Sequence, residues 1–395
     1  MKKKSGISVI NNKALQRWLW ISAAAALGVM VLLMFEAEIQ AGEKEIRIGI
    51  DAMDESGAST FRVLYENLKV LEEIAQVKFE EGPEEDMGTS TEASVYSVER
   101  QIEDGMDGIL ICPPTDSVLP AICRMCEEAK VYWGIYFRSI QDDDIRELCE
   151  KSPYYIGNVY ENEENSAYEL MKKAAEEGFR KIAVISEAKW DTTCEAREKG
   201  IRRAIDELEE VEIIAEVRGM NSLEDADDCV KSLLQAYPEL DGIFLVGSMV
   251  QGVQKKICSI IKDERGTGSV GLVTIDFSDT LTEDFKSGVL KAAYGLPQLS
   301  IDPYYMAIKM VNTLKGYPLS EENTSHCVEG VLIESEEQAK EMAAVIENSE
   351  LLYFSEDFVR ENLLKWNNPL LDEEEFQRII NENTRLENCV VKPAS

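Results

Sequence analysis

Histidine is almost missing from this chain: His326 is the single one in 395 residues. It sits in "NTSHCVEG" with no serine–acid or metal-ligand arrangement around it, so serine–histidine hydrolysis would rest on one isolated group. The common phosphate cradles are absent too. No G-x-x-x-x-G-K occurs, and no G-x-G-x-x-G follows a strand. Paired carboxylates identify nothing in a chain with 75 acidic residues. The sequence therefore reads as that of a non-enzyme with no cofactor and no metal.

Basic charge is scarce. Lys and Arg number 41 against the 75 acids, a formal net charge of −34. Residues 1–42 hold five basic and two acidic side chains, a net +3, so the remaining 353 residues carry −37. Affinity for nucleic acid comes largely from neutralising phosphates with Lys and Arg, which excludes a nucleic-acid partner. Yet 45% of the residues are apolar, enough to bury a core rather than remain a disordered acidic chain. The length suits two domains.

Charge of either sign is missing from Trp18 to Phe35, an 18-residue apolar run, against roughly 20 for a bilayer-spanning helix. Lys2, Lys3, Lys4, Lys13 and Arg17 precede it, and the first acid is Glu36. Positive charge on that side predicts a cytoplasmic segment 1–17 and a chain that crosses afterwards. A signal peptidase wants small residues around its cut, but Ile39 stands two before Ala41, and Glu36 just before Ala37. No Cys follows the run to accept lipid. Residues 18–35 thus read as an uncleaved signal anchor, with the bulk of the chain on the extracellular or periplasmic side.

Nine cysteines are scattered along the chain. Only Cys123 and Cys126 have redox or metal spacing, with no second pair or His nearby, and they read as small buried residues of a helix.

What is plentiful is alternation. Short, continuously apolar runs at 45–50, 77–80, 108–112 and 131–137, then at 181–186, 211–217, 242–246 and 270–275, suit strands buried on both faces of a parallel sheet. Helical patterns lie between them, such as "TFRVLYENLKVLEEIA", with Phe61, Leu64, Leu68 and Leu71 on one face. Two series of four predict two doubly wound α/β lobes, with ligand groups at the strand C-termini. Past Ile333 the pattern becomes acidic helices, and residues 335–395 form a helical extension that either packs on a lobe or docks something else.

Several stretches in order resemble one family. "EIRIGIDAM…STF", "MDGILICPPTDSVLPAICRMCEEAKVYWGIYF", "YIGNVYENEENSAYELMKKAAEEGFRKIAVIS", "CEAREKGIRRAI", "LDGIFLVGSMVQGV" and "VGLVTIDFSD" look like the type I periplasmic-type sugar-binding proteins, whose fold the effector domains of LacI-like repressors share. The resemblance spans about residues 45–333. It implies two Rossmann-like lobes joined by three hinge crossovers: 45–155 with about 277–316, and 156–276 with about 320–334. The lobes of that family close on a small polar, sugar-like solute. Side chains that donate and accept satisfy the sugar hydroxyls there, and aromatic faces cover the C–H surface.

Carried over residue by residue, the resemblance implies ligand contacts at Asp51, Phe61, Phe137, Arg138, Trp190, Arg197, Ser248, Asp276 and Gln298, with Asp302 an alternative to Gln298. The chain departs from the family in three places, four polar positions in all. Phe137 stands for an Asp, Pro113 for an Asn, and Val246 and Gly247 for an Asn-Asp pair. Plainer roles compete: Arg138 and Arg197 as structural ion-pair residues, Asp276 as a cap, Phe61 and Trp190 as core aromatics, Asp51 as a solvated strand end. The implied function is a membrane-tethered solute-binding protein partnered by an ABC permease. The alternatives are a ligand-sensing accessory subunit of a membrane sensor kinase or chemoreceptor, and a ligand-free interaction scaffold.

Overall fold

The computed structural model describes residues 45–50, 59–83, 90–186, 191–247, 250–298, 300–320, 322, 324–346, 352–385 and 388. The expected anchor at 18–35 lies outside them, as do Asp51, Trp190 and Ser248. Among the described residues no helix is long and apolar enough to cross a membrane.

Among the described residues, two six-stranded sheets organise the chain from residue 46 onward. The first contains β1 (Ile46–Ile50), β2 (Val77–Glu81), β3 (Gly108–Ile111), β4 (Tyr132–Phe137) and β5 (Tyr155–Glu161). The second contains β6 (Lys181–Ser186), β7 (Glu212–Arg218), β8 (Gly242–Leu245), β9 (Gly271–Ile275) and β10 (Leu290–Gly295). Two short strands, β11 (His326–Val328) and β12 (Val331–Ile333), complete them. The orders are β11-β5-β4-β3-β1-β2 and β12-β10-β9-β8-β6-β7. Among the described residues every strand pairing is parallel except that of β10 with β12.

The composition of each strand follows its place. β3 and β9 are central and buried at every position, which is why they read as unbroken apolar runs. β2 lies at an edge and alternates, with Val77 and Phe79 buried and Lys78 exposed. Helices cover the sheets. Leu64, Leu68 and Leu71 of α1 (Ser59–Ala75) are at most 1% exposed, each stabilising the fold by roughly 1.5–3 kcal/mol. Cys123 and Cys126 are buried in α3 (Leu119–Ala129), after α2 (Thr91–Glu103), and burial pushes the Cys126 thiol up to about 12. They behave as small core residues.

All eight expected strands are present, within a residue or two of the expected ends. Four more escape the pattern. β5 carries Asn158, Tyr160 and Glu161 because it leads into the crossover between sheets, and β10 ("LKAAYG") is poor in β-branched residues. These strands move the lobe boundaries. β5 pairs with β4, so the first lobe runs to Glu161 rather than 155. β10 pairs with β9, so the segment from 277 to 295 belongs to the second lobe, and the chain returns to the first with α10 (Ile301–Leu314). β11 lies in the first sheet and β12 in the second, so the third crossing falls between Val328 and Val331.

The extension packs on both lobes. Its helix α11 (Glu336–Ile346) lies against α9 (Leu281–Lys286) of the second lobe, where Thr282 Oγ1 donates to the Ala339 carbonyl at 3.3 Å. From 352 the chain packs on the first lobe. Amide side chains read its backbone there. Tyr353 N donates to Asn67 Oδ1 at 2.8 Å. Buried Asn312 donates to Leu363 O at 2.9 Å and accepts from Lys365 N at 2.7 Å. The last helix, α12 (Glu373–Asn383), sets Gln377 against Cys327 of β11, accepting from its N–H at 3.1 Å and donating to its carbonyl at 2.7 Å. His326 Nε2 lies 2.5 Å from Glu373 Oε2, which also pairs with buried Lys309 at 3.4 Å.

Candidate functional site

The C-terminal ends of the two sheets face each other, and charged side chains meet there. Arg138 follows β4. Phe137 before it has a left-handed backbone, φ 62°, a conformation that costs a non-glycine residue of order 1 kcal/mol or more. The Phe137 ring packs edge-on against Tyr136 at 5.3 Å. The turn directs the Arg138 guanidinium to the second lobe, where Nη2 lies 3.1 Å from Asp191 Oδ2 and Nη1 donates to Thr193 Oγ1. Asp191 is the N-cap of α6 (Thr192–Glu207), accepting from Cys194 N at 2.9 Å. Burial pushes the Asp191 carboxyl up, but Arg138 and the Cys194 N–H outweigh it and hold the group below the usual range. Asn158 of β5 fixes the turn by donating to the Arg138 carbonyl at 2.9 Å. A second link joins the lobes where Lys199 Nζ donates to Gln141 Oε1 at 3.0 Å.

Arg197, on α6, is buried and fully committed. Nε and Nη2 form a fork on Glu163 at 2.5 and 3.1 Å. Nη1 donates to the Val246 carbonyl at 2.9 Å and to Asp276 Oδ2 at 3.1 Å, and Nη2 also approaches Asp276 Oδ1 at 3.5 Å. A guanidinium has five N–H donors, and protein acceptors take all of them. Arg197 thus clamps Glu163, Asp276 and the end of β8 together. Gly200, one turn on, lets α6 lie against α5 (Glu163–Glu176), because a Cβ there would come 1.9 Å from the Glu164 carbonyl oxygen.

This clamp accounts for one departure noted in the sequence. Gly247 has φ +126°, and a Cβ on it would stand 2.1 Å from Arg197 Nη1. The guanidinium fills the space that a side chain would take. Asp276, after β9, is also left-handed at φ 71°, and its side chain is 48% exposed. About half of its side-chain surface stays open while Arg197 holds the carboxylate.

Of the other expected residues, Phe61 is half-buried and packs against the main core. Gln298 is buried, and its Oε1 accepts from Asn383 Nδ2 of the extension at 2.7 Å. Gln298 thus meets α12 of the extension. Asp302, in the first turn of α10, is fully buried, and neither of its carboxylate oxygens has a hydrogen-bond partner among the described residues. Burial pushes its carboxyl up to about 8, with Glu163 adding to the effect. Half-buried Glu161, at the end of β5, is also held well above the carboxylate range. Burial does most of this, then Glu163, Asp302 and Asp276, with Arg197 opposing.

Sequence reasoning missed Asp191, Glu161 and Glu163. The last two sit in "YENEEN", where a strand end runs into a helix start, but that stretch reads as a polar linker when β5 is not recognised.

A family model described as "Periplasmic binding protein domain" matches residues 67–317. No curated protein sequence matches this chain. Solved structures are similar. A galactofuranose binding protein superposes with TM-score 0.60 at 15% identity, covering 78% of this chain and 100% of its own. An ABC transporter solute binding protein from Agrobacterium vitis, bound with alpha-D-tagatopyranose, gives 0.61 at 14% identity over 74% of this chain and 96% of its own. A periplasmic solute binding protein of an ABC transporter from Actinobacillus succinogenes 130z, with bound D-allose, gives 0.58 at 19% over 75% and 99%. At such identities the likeness shows the fold.

Proposed function

We propose a function from one premise: the chain belongs to the family of periplasmic binding protein domains. That family is one of solute-binding proteins rather than catalysts. The reading is a solute receptor that closes two lobes on a small polar ligand, a sugar or sugar-like molecule, and delivers it for ABC-type import. Similar structures hold galactofuranose, tagatose and allose receptors. The observation that carries the reading is the cross-lobe pair of Arg138 and Asp191 at the facing strand ends, 3.1 Å apart. We assign ligand contacts to Asp51, Phe137, Arg138, Trp190, Ser248 and Asp276, with Arg197 as the residue that positions Asp276.

Residues 18–35 serve in this reading as a tether that keeps the receptor on the outer side of the membrane. Full-length chain retained in carbonate-washed membranes is the expected result, and its release into the wash would refute the tether.

A second reading is an accessory subunit that reports ligand state to a sensor kinase or chemoreceptor. It is favoured by the extension after Ile333, since the galactofuranose receptor is covered over its whole length while 78% of this chain is used.

The test is a thermal-shift screen of the full chain in mild detergent against hexoses, pentoses and polyols. A ligand that binds only the folded state adds about 2.7 kcal/mol at a hundredfold excess over Kd. A rise in melting temperature that Arg138→Ala removes supports the receptor. No shift across the panel would leave the ligand-free scaffold as the better account.

A further inference from the structure

We infer that α12, the last helix of the extension, is a clasp on the hinge that holds the two lobes closed. The inference rests on the solute-receptor reading and concerns how its cleft is regulated. Among the described residues the chain crosses between the sheets at three places: at Asn162, between Gly295 and Ile301, and at Glu329 and Gly330. Two lobes joined in this way part by turning the backbone of the few residues that connect them.

The crossovers are fastened to one another. Asn162 Nδ2 donates to Glu329 Oε1 at 2.7 Å, and Asn162 N to the Val328 carbonyl at 3.3 Å. Gly330 lies so near the start of the second crossover that a Cβ on it would stand 2.7 Å from the Gly295 carbonyl oxygen. A turn in one crossover therefore disturbs the other two. The second also carries strain: Ser300 is left-handed at φ 57°, a conformation uncommon outside glycine that collects at switch points.

The helix α12 grips two of the three. Asn383 Nδ2, at its C-terminal end, donates to Gln298 Oε1 in the second crossover at 2.7 Å. Gln377 meets both backbone groups of Cys327, two residues before the third. The helix itself belongs to the first lobe, since Glu373 pairs with Lys309 of α10 and His326 of β11. Turning the second crossover carries Gln298 away from a helix that stays with that lobe. The Asn383–Gln298 bond is thus specific to the closed arrangement, in which Arg138 meets Asp191 and Lys199 meets Gln141. The apparent affinity of a receptor follows the share of its binding-competent form, so the clasp tightens solute binding. Anything that draws the end of α12 off Gln298 opens the cleft.

The molecule carries its own reporters of opening. Cys112 follows β3, and its sulfur accepts from Arg138; Cys194 lies in the first turn of α6, and its thiol donates to Asp191. Both are half-buried beside the cross-lobe pair, so parting the lobes uncovers them. Cys126 and Cys258 lie in the cores of the first and second lobes, 0% and 3% exposed, and report unfolding instead.

The experiment is alkylation of the full chain in mild detergent by N-ethylmaleimide at pH 7, without sugar, followed at each cysteine by mass spectrometry. Asn383→Ala is expected to speed the reaction of Cys112 and Cys194 by about three- to tenfold, the population change that one hydrogen bond supports. Cys126 and Cys258 are expected to keep parent rates. Gln298→Met should act alike, and the double variant should go no further than either alone, because the two residues share one contact. Tyr305→Phe is the control. Its hydroxyl also accepts from Asn383, at 3.1 Å, but Tyr305 stays with α12 when the lobes part, so parent rates are expected.

In a variant whose core cysteines stay protected, parent rates at Cys112 and Cys194 would overturn the clasp. So would an equal rise in Tyr305→Phe, additive effects in the double variant, or core cysteines that react faster in both single variants. No ligand enters the experiment, so these outcomes leave the solute-receptor reading to its own thermal-shift screen.

Discussion

Arg138 Nη2 and Asp191 Oδ2 lie 3.1 Å apart, and the two residues belong to different lobes. The pair is mostly shielded from solvent, with side-chain exposures of 18% and 24%, so salt screens it less than a surface pair. Arg138→Ala is expected to weaken ligand binding by about ten- to hundredfold, the equivalent of a charged hydrogen bond of roughly 1.5–3 kcal/mol. It should also enlarge the radius of gyration of the unliganded protein in small-angle scattering. An unchanged radius with unchanged affinity would mean that the pair does not hold the lobes together.

Gly247→Ala puts a methyl group where Arg197 Nη1 now lies, on a backbone at φ +126° that alanine resists. Strain and a displaced buried guanidinium together predict a loss of about 2–4 kcal/mol, read as a lower urea midpoint. Ligand affinity should fall too, since Asp276 loses its support. A variant as stable as the parent would show that the clamp has room to spare.

Acid should loosen the extension. Burial holds the His326 imidazole below its ordinary value of 6.5, although the Glu373 contact pulls the other way. The unfolded chain therefore takes up the proton first as pH falls, so stability is full above about 6.5 and declines below it. Glu373 is also held below its usual range despite burial, by His326 and Lys309, and it loses its share as pH falls below 4.5. The urea midpoint is expected to drop between pH 7 and pH 5, and to drop less in His326→Gln. Equal slopes for the two proteins would contradict this account.

Asn312 is fully buried and bonds Leu363 O, Lys365 N and its own helix at Ile308 O. Asn312→Ala strands a carbonyl and an N–H of the extension, at a cost of about 2–4 kcal/mol. Hydrogen exchange should rise across 353–384 while α5 and α6 keep their protection. A uniform rise through the whole molecule would mean that the extension is one cooperative unit with both lobes.

The central strands were legible because burial on both faces leaves a signal in every residue, as in "GILI" of β3 and "GLVTI" of β9. The crossover strands were not. Asn158 and Glu161 are polar because they serve the turn at Arg138 and the hinge-side carboxylate group, and those duties erase the apolar pattern. Asp276 and Arg138 could be picked out as strand-end charges, since that position alone puts them between the lobes. The roles of Arg197 and Gln298 could not. What a guanidinium or an amide touches depends on partners far along the chain, Glu163 and Asp276 for one and Asn383 for the other.

Gln377 has a consequence for how the molecule behaves in a crowd. β11 is the last strand of its sheet, and such strands expose backbone groups that invite pairing with another chain. A side-chain amide carries a donor and an acceptor side by side, as a neighbouring strand does, and Gln377 presents both to Cys327. The extension thus ends the sheet with a counterfeit of the next strand, leaving a foreign segment no vacancy at Cys327 through which to begin an intermolecular ladder.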